Sequence, residues 1–402
     1  MVYDVIVVGL GPAGIMATLI CQRSGLNVIA IDKGRHYVER DRNNPLDVAN
    51  GFGGAGLFSD GKLSFFPAAS LLWEKSDSEK IKRAYILLFN EFKSLGYAIP
   101  TWQNRWTNSI STAKCKKRVK RYQSHYFTRK ARDQFIKCAF HEIGKNVILD
   151  SEVVRIKHQL GKYLVETVNG NFKAHKILLC TGKCGNGIIE KLDLKIPNVY
   201  KYEFGFRVET TKENFKPNAL KLIDYKYIEK IDGDTEFRTF CCCKSGIVLK
   251  SKYIDHVSYN GSTSNKPTQL SNIGLTIRCN TKENPCVQEA ISCLARKDEV
   301  EMSYKDGHNW TRDFVYGAYT DKLLAERMAI VLKNFRQRDK IKIYAPEIEY
   351  FGNYPIFNWN SFRISLGHDI WIAGDLSGKY RGIVAAMVSG IYAALDMVET
   401  YE

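Results

Sequence analysis

Three glycines near the start of the chain have the spacing of a phosphate-binding turn. Residues 9–14 read GLGPAG, and an acidic residue, Asp32, follows. In this pattern Gly9 permits a tight turn, Gly11 lets the backbone approach a pyrophosphate, and Gly14 lets a helix pack close to a strand. Asp32 has the spacing of a residue that accepts hydrogen bonds from an adenosine ribose. The pattern therefore predicts a dinucleotide site.

The sequence around these glycines predicts the elements that such a site needs. Residues 3–8 and 27–32 are short apolar runs typical of strands buried on both faces, and residues 13–21 have helical apolar spacing. This strand, turn, helix and strand unit serves NAD and FAD alike, so the cofactor stays open at this point. NADP is disfavoured, because Asp32 would repel a 2′-phosphate even though Lys33 follows it.

A second glycine-rich segment, residues 50–63, carries five glycines together with Phe52, Phe58 and two leucines. The N–H groups of such a loop can bind an anion, or its backbone can lie flat against a planar ring. The segment is too apolar for a flexible surface loop. We therefore expect it to contact the cofactor.

Residues 152–157, 163–168 and 172–179 predict a three-stranded meander, with a hairpin turn at Asn169-Gly170. The last of these runs leads into the small-residue turn Thr181-Gly182. Many flavoproteins of the two-dinucleotide-fold type have a meander and a turn of this kind at this point. The segment favours FAD.

The C-terminal part of the chain supplies another cofactor signal. Residues 369–373 predict a strand that delivers Gly374-Asp375, and residues 382–398 predict one apolar helix. Asp375 could bind a ribityl hydroxyl or could simply cap a turn. The helix N-terminus would place partial positive charge beside the flavin pyrimidine ring. A simple NAD dehydrogenase has no need of cofactor contacts from both chain ends, so FAD is favoured again.

Seven motifs carry a family resemblance over nearly the whole chain. They are GLGPAG, IDKGR with Arg40, FGGAGLFSDGKL, FGFRVE at 204–209, RTFCCCKSG at 238–246, YNG at 259–261 and IAGDLSG at 372–378. In this order they resemble the FAD-dependent dehydrogenase family of bacteria and archaea. The resemblance implies an α/β fold, with a Rossmann-like FAD-binding lobe from both chain ends and an inserted α+β substrate lobe that contains a mainly antiparallel sheet.

We expect three units: residues 1–72, 133–200 and 352–402 as the FAD-binding domain, residues 73–132 as a mainly helical basic insertion, and residues 201–351 as the substrate domain. The motifs and the resemblance together predict the cofactor contacts. These residues are Gly9, Gly11, Pro12, Ala13, Gly14, Asp32, Lys33, Arg40, Gly53, Gly54, Ala55, Ser59, Asp60, Gly61, Lys62, Val153, Val154, Thr181, Gly182, Gly374, Asp375, Gly382 and Ile383.

The chain departs from the family pattern in two places. Cys243-Lys244 follow the RTFC motif where relatives continue with a single Cys and Pro, and Lys379-Tyr380-Arg381 replace small residues near the C-terminus. The resemblance places the second segment near the flavin. We therefore expect the substrate to differ from that of most relatives, and these basic residues favour an anionic one.

The charge distribution gives the same indication. The chain has 59 Lys and Arg against 43 Asp and Glu, a net charge of +16, and residues 114–132 hold nine basic residues and no acidic one. Aromatic residues are interleaved there, which suits nucleic-acid stacking as well as a phosphate or carboxylate contact. The alternative is purely structural: the basic residues would form the solvent-exposed face of a helix, and the aromatic residues would pack into the core.

The catalytic candidates are Arg207, Arg238, His308, Lys379, Tyr380 and Arg381. Alternation over residues 204–209 places Phe204 and Phe206 on one strand face and Arg207 on the other. Arg207 and Arg238 could each bind a substrate carboxylate or form a surface salt bridge. His308 is a possible proton-transfer group, since histidine ordinarily titrates near neutral pH, but it is also a lone loop histidine.

The chain contains eleven cysteines without regular spacing. We expect them to be reduced and structural, in a cytoplasmic protein, and we predict no metal site. Residues 1–20 are broken by glycines and a proline and lack a basic leading segment, so we expect neither a signal peptide nor a membrane span.

The sequence as a whole predicts an FAD-dependent oxidoreductase that transfers hydride between flavin N5 and a small, anionic or carrier-bound substrate. Two alternatives stay open: a flavin-dependent RNA-modifying enzyme, and a non-catalytic FAD protein that binds RNA or an acidic protein. The substrate, the electron acceptor and the oligomeric state are not specified by the sequence.

Overall fold

The computed structural model describes residues 1–103, 116–183, 185–214, 224, 226–253, 255–264, 266–297, 299–304, 315–333, 337, 340–364 and 367–401. The helices are α1 Pro12–Arg23, α2 Gly54–Phe58, α3 Ser70–Lys75, α4 Ser78–Ser94, α5 Arg129–Ile143, α6 Pro285–Arg296, α7 Ala318–Leu332 and α8 Ile383–Glu399. The strands are β1 Val2–Val8, β2 Val28–Ile31, β3 Lys62–Ser64, β4 Lys117–Lys120, β5 Ser124–Tyr126, β6 Val147–Ile148, β7 Val153–Gln159, β8 Lys162–Thr167, β9 Gly170–Leu179, β10 Asn198–Thr211, β11 Lys226–Lys230, β12 Glu236–Cys243, β13 Gly246–Lys252, β14 Val257–Thr263, β15 Leu270–Cys279, β16 Val300–Tyr304, β17 Ile341–Pro355 and β18 Ile370–Ile372.

The first sheet has seven strands in the order β6-β2-β1-β9-β8-β7, and β18 also pairs with β9. Its central strands β2, β1, β9 and β18 are parallel, whereas β9, β8 and β7 form the antiparallel meander that the turn residues predicted. The apolar run of β1 is buried on both faces, as its β-branched composition indicated.

The two chain ends share one core. Helix α8 packs directly on α1, and a Cβ atom at Gly390 would lie 2.1 Å from the carbonyl oxygen of Ala13. Glycine at this position therefore allows the two backbones to approach. The approach holds the C-terminal strand and helix beside the N-terminal glycine turn.

The second sheet also has seven strands, in the order β16-β17-β10-β15-β12-β11-β4. On β10, Phe204, Phe206 and Val208 pack into a core with α6 and α7, as the alternation predicted. The opposite face of this sheet carries charged side chains, and this face contributes to the site described below.

The basic segment differs from its predicted helical form. Helix α4 and the start of α5 are present, but strands β4 and β5 lie between them. Strand β4 ends the second sheet, and side chains on it, such as Lys117 and Arg118, are exposed. Positive charge on a terminal strand discourages pairing with other chains, which gives this charge a structural explanation.

Across the part of the chain that the structure describes, no helix combines the length and the hydrophobicity that crossing a membrane requires.

Candidate cofactor and substrate site

The carboxyl edge of the first sheet brings the predicted cofactor segments together. Val8 lies opposite Ile31 of β2 and Leu179 of β9, and Leu179 lies opposite Ile372 of β18. Because these strands are parallel and end in register, the turns that follow them all leave the sheet at one edge. In open α/β sheets, ligands bind at this edge.

Two glycines of the N-terminal turn are required by packing. Gly9 has φ of +95°, and a Cβ atom there would lie 2.6 Å from the carbonyl oxygen of Cys180. A Cβ atom at Gly14 would lie 1.8 Å from the carbonyl oxygen of Gly9. Any larger residue at these two positions would push the helix and the strand apart.

Three other glycines at the same edge border free space. At Gly11 the nearest atom to a Cβ would be 3.8 Å away, and at Gly182 and Gly382 no atom lies within 4 Å. Gly182 and Gly382 have φ of +77° and +104°. This backbone forms a cradle of bare main chain.

Two helices begin at this cradle. Gly11 is the N-cap of α1 and Gly382 is the N-cap of α8, and neither end has a side-chain cap or an acidic residue in its first turn. The positive ends of both helices are therefore available to a bound anion. This arrangement fits a dinucleotide pyrophosphate at α1 and an electron-rich ring at α8.

Asp32 ties the turn to the second glycine segment. Its carboxylate accepts the backbone N–H groups of Leu10 at 2.7 Å, Gly34 at 2.9 Å and Gly51 at 3.0 Å. The ribose contact predicted for Asp32 would use its remaining acceptor capacity. Lys33, next to it, is exposed.

Two buried arginines hold the second glycine segment. Arg40 donates to carbonyl oxygens within residues 47–54 at 2.7 to 3.2 Å, and Arg132 donates to carbonyl oxygens within residues 56–59 at 2.7 to 3.1 Å. Burial lowers the pKa of each to about 10. The donors of Arg40 are thus directed at backbone carbonyls of the second glycine segment, and Arg132 helps to hold the same segment, a role that the sequence did not indicate.

The other predicted cofactor residues have mixed surroundings. A small cavity brings together Pro12, Gly53 and Ile383, which come from three of the four predicted cofactor segments. Ser59 and Thr181 donate their hydroxyls to backbone carbonyls within five residues, both at 2.9 Å.

The remaining positions of that prediction are spread along the same elements. Val153 is buried at the start of β7, whereas Val154 and Ala55 are exposed. A Cβ atom at Gly61 would lie 2.4 Å from the carbonyl oxygen of Phe127, and a Cβ atom at Gly54 would lie 2.7 Å from the Cα of Gly11.

The loop after β18 lies against the second sheet. Gly374 has φ of +68°, and Asp375 accepts a hydrogen bond of 2.5 Å from the hydroxyl of Tyr350 on β17. Lys183, just after the meander, donates to Glu349 of β17 at 2.8 Å. These contacts bring the charged face of the second sheet to the carboxyl edge of the first.

Arg207 lies on that charged face and is enclosed. It forms an ion pair with Glu347 of β17, and its Nη1 donates to Asn272 at 2.7 Å. The side chains of Arg207 and Glu347 are 1% and 0% exposed. Arg207 does form a salt bridge, but the prediction that it lies at the surface is wrong. The pairing of β10 with β17 places Arg207 and Glu347 together in a buried position.

A group of cations surrounds Glu203 on the same face; we call Glu203, Lys201, Lys226, Arg238, Arg278 and Arg381 the Glu203 cluster. The Arg278 Nε donates to Glu203 at 2.7 Å, and the guanidinium nitrogens of Arg381 and Arg238 lie 3.4 and 3.7 Å from its carboxylate. Burial opposes ionisation of Glu203, but these arginines hold its pKa well below its usual range.

The positive potential of the Glu203 cluster also affects its lysines. Burial and then the charge of Arg238 lower the pKa of Lys226 to about 7, and burial with the charges of Arg278 and Arg381 lowers the pKa of Lys201. The three arginine side chains keep 13 to 24% exposure. They are therefore held in place but can still meet a ligand.

The three residues that depart from the family pattern have different surroundings. The guanidinium of Arg381 lies 3.8 Å from the Tyr350 ring centroid and joins the Glu203 cluster. The Lys379 Nζ lies 4.5 Å from the ring centroids of Phe357 and Trp359. Tyr380 is fully buried in the core, so it is placed for packing rather than for contact with a substrate.

His308 lies outside the described residues. Sequence reasoning missed Glu203, Lys201, Lys226 and Arg278. Their strand alternation could have placed them on the face of Arg207, but their grouping depends on strand register. Asp60 and Lys62, predicted as cofactor contacts, extend to the second sheet, where Lys62 donates to the carbonyl of Cys242 at 2.9 Å.

Solved flavoproteins match this chain over nearly its whole length. A flavoprotein/dehydrogenase from Cytophaga hutchinsonii has a TM-score of 0.44 and 13% identity, with 100% of this chain and 79% of that chain covered. CtdE in complex with FAD and a substrate gives 0.40 and 14%, with 98% and 80% covered. The halogenase PltM gives 0.47 and 15%, with 99% and 69% covered. No protein-family model and no curated protein sequence matches the chain.

Proposed function

We propose that this protein is an FAD-dependent oxidoreductase that transfers hydride between flavin N5 and a small anionic substrate. One observation carries the proposal: a cradle of bare glycine backbone at two uncapped helix N-termini lies next to the Glu203 cluster. The contacts of Asp375 and Arg381 join the two. The carboxyl edge of the first sheet would form the FAD lobe, and the second sheet would form the substrate lobe.

Backbone groups and two carboxylates of the chain would hold the cofactor. Gly11 and the first turn of α1 would bind the pyrophosphate, and Asp32 would bind the adenosine ribose. Asp375 and the start of α8 would bind the flavin end of the cofactor. When bound, FAD supplies the capacity to accept or donate hydride. The protein supplies orientation and charge.

The Glu203 cluster would bind the substrate anion. Arg238, Arg278 and Arg381 offer planar guanidinium groups, which bind carboxylate or phosphate through paired hydrogen bonds. Lys226 would hold or release a proton at its Nζ near neutral pH, because its pKa is about 7. An aromatic wall of Tyr350 and Phe240, over which Arg381 lies, would exclude water.

The RNA-based alternatives lose part of their support from the fold. Within the basic segment, Lys117 lies 3.7 Å from Glu229, Lys120 contacts Ser70, and Arg132 is buried against carbonyl groups. These three of the nine basic residues that motivated an RNA partner therefore have protein partners.

Anaerobic mixing of the purified, FAD-loaded protein with single metabolites tests the proposal. We expect some carboxylate- or phosphate-bearing compounds to bleach the oxidised flavin absorbance, and their neutral analogues to do so far more slowly. Protein that takes up no FAD would contradict the cofactor assignment. Bleaching by neutral compounds alone would instead contradict the anionic substrate and leave the flavoenzyme intact.

A further inference from the structure

We propose that Asp60, Cys241 and Cys243 form a binding site for a thiophilic divalent metal ion such as Zn²⁺. The proposal is independent of FAD and of the Glu203 cluster. It corrects the expectation that the cysteines serve only as packing residues, because the three residues combine a carboxylate from one segment with two thiols from another.

A β-bulge brings the two thiols together. In a regular strand, two residues that are two positions apart lie on the same face, and their Cα atoms are about 6.5 Å apart. Strand β12 shifts register between Phe240 and Cys243, and Cys241 has φ of +44°. As a result the two Sγ atoms are 3.6 Å apart.

Asp60 completes a triangle of ligand atoms. Its Oδ2 lies 3.4 Å from the Sγ of Cys241 and 3.3 Å from the Sγ of Cys243. In a tetrahedral zinc site with ordinary bond lengths, two sulfurs are about 3.8 Å apart and a sulfur and a carboxylate oxygen about 3.5 Å. The three observed separations are therefore close to the edges of one tetrahedron face.

The charges around the triangle can accommodate the ion. The Lys62 Nζ lies 2.8 Å from the same Oδ2 of Asp60 and 3.1 Å from Asp224, so one ammonium faces two carboxylates. A divalent ion would displace the two thiol protons. The net charge of this group would therefore be the same with and without the metal.

The surroundings leave room for the sulfurs and for access. A Cβ atom at Gly261 of β14 would lie 2.3 Å from the Sγ of Cys243, so glycine there is what admits the sulfur. Cys241 is only partly buried, whereas Cys243 is buried. The fourth position of the tetrahedron would therefore be open on the Cys241 side, the pattern of zinc sites that keep a water or a substrate ligand.

The test uses the reduced, full-length protein, incubated with Zn²⁺ alone and freed of excess metal. We expect about one tightly bound Zn²⁺ per chain, and loss of at least half of it in Cys241→Ser and in Cys243→Ser. Cys242→Ser is the matched control, since Cys242 lies in the core of the second sheet, and it should retain the metal. Co²⁺ should give thiolate d–d absorption bands in the red in the wild type and in Cys242→Ser only.

Circular dichroism checks that each variant is folded. Should a ligand variant not fold, the cobalt spectrum of the wild type decides between thiolate coordination and its absence. Zinc content equal in the wild type and folded Cys241→Ser would overturn the proposal. A wild type that binds no zinc would also overturn the proposal. This includes a wild type in which Cys241 and Cys243 form a disulfide, which mass spectrometry would detect as a chain two mass units lighter.

Discussion

The two faces that meet at the candidate site use different chemistry. At the carboxyl edge of the first sheet, the site consists mainly of glycine backbone and the N-terminal ends of two helices. On the second sheet, charged side chains from β10, β12, β15 and β17 do the equivalent work. The first arrangement depends on residues that are adjacent in the chain, and the second depends on strand register.

This contrast also separates two kinds of buried charge on the second sheet. Arg207 and Glu347 are enclosed and paired with each other. The arginines of the Glu203 cluster share the Glu203 carboxylate and keep some exposure, and Arg238 and Arg381 also pair with Glu236 and Glu349, at 2.8 and 2.9 Å. The first pair should therefore matter for stability, and the cluster should matter for substrate binding.

The largest effect is expected at the enclosed pair. Arg207→Met leaves Glu347 buried without its partner, which should lower the free energy of unfolding by about 3–5 kcal/mol. Chemical denaturation measures it. The double variant Arg207→Met with Glu347→Met should recover most of the loss, and a stability loss that persists in the double variant would mean that the pair is not the cause.

The glycines of the first sheet offer the next comparison. Gly14→Ala places a Cβ against the Gly9 carbonyl and should cost about 1–3 kcal/mol of stability. Gly11→Ala borders free space, so it should leave stability within about 0.5 kcal/mol and weaken FAD binding about tenfold or more. Denaturation and flavin titration report the two effects. Gly233→Ala, in an exposed turn with no atom near its Cβ, is the control for both.

Within the Glu203 cluster, Arg238→Met should raise KM for the anionic substrate about 10–100-fold, the loss expected for a hydrogen bond to a charged group. Stability should change far less than in Arg207→Met. Steady-state kinetics and denaturation measure both. An unchanged KM together with a large loss of stability would mean that Arg238, like Arg207, stabilises the fold and does not bind the substrate.

The pH dependence of stability should identify Lys226. Its folded pKa of about 7 is below the usual value for lysine, so the unfolded chain binds more protons between about pH 7 and 10. The contribution of Lys226 to stability is thus unfavourable below pH 7, and this penalty disappears as the pH rises through that window. Relative to Lys226→Met, the wild type should therefore gain stability from pH 7 to 9. Parallel pH profiles of the two proteins would contradict the lowered pKa.

The smallest effect is expected at exposed basic residues on and next to strand β4. Replacing Lys116, Arg118 and Arg121 together by serine should change turnover by less than about twofold, since surface substitutions have small effects. RNA binding, measured against salt concentration, distinguishes the alternatives. Salt-sensitive RNA affinity that disappears in this variant would restore the nucleic-acid interpretation.

Local pattern predicted the elements of the first sheet well. Strands β1 and β2, helix α1, the meander and helix α8 follow from apolar periodicity and glycine turns, because each is set by neighbouring residues. The same reasoning was incomplete for the basic segment, where β4 is a strand because it pairs with β11, which is distant in sequence. It also did not indicate that the buried Arg40 donates to carbonyl groups of the second glycine segment.

The sequence by itself determined the glycine turn, its helix and the paired use of both chain ends, since these depend on backbone geometry and short-range spacing. Only the tertiary structure decided which charges meet: Glu203 with three arginines, Arg207 with Glu347, and Asp60 with two thiols. Each of these groupings joins residues far apart in the chain. Register, a β-bulge and sheet-to-sheet packing set their distances, and no local pattern encodes them.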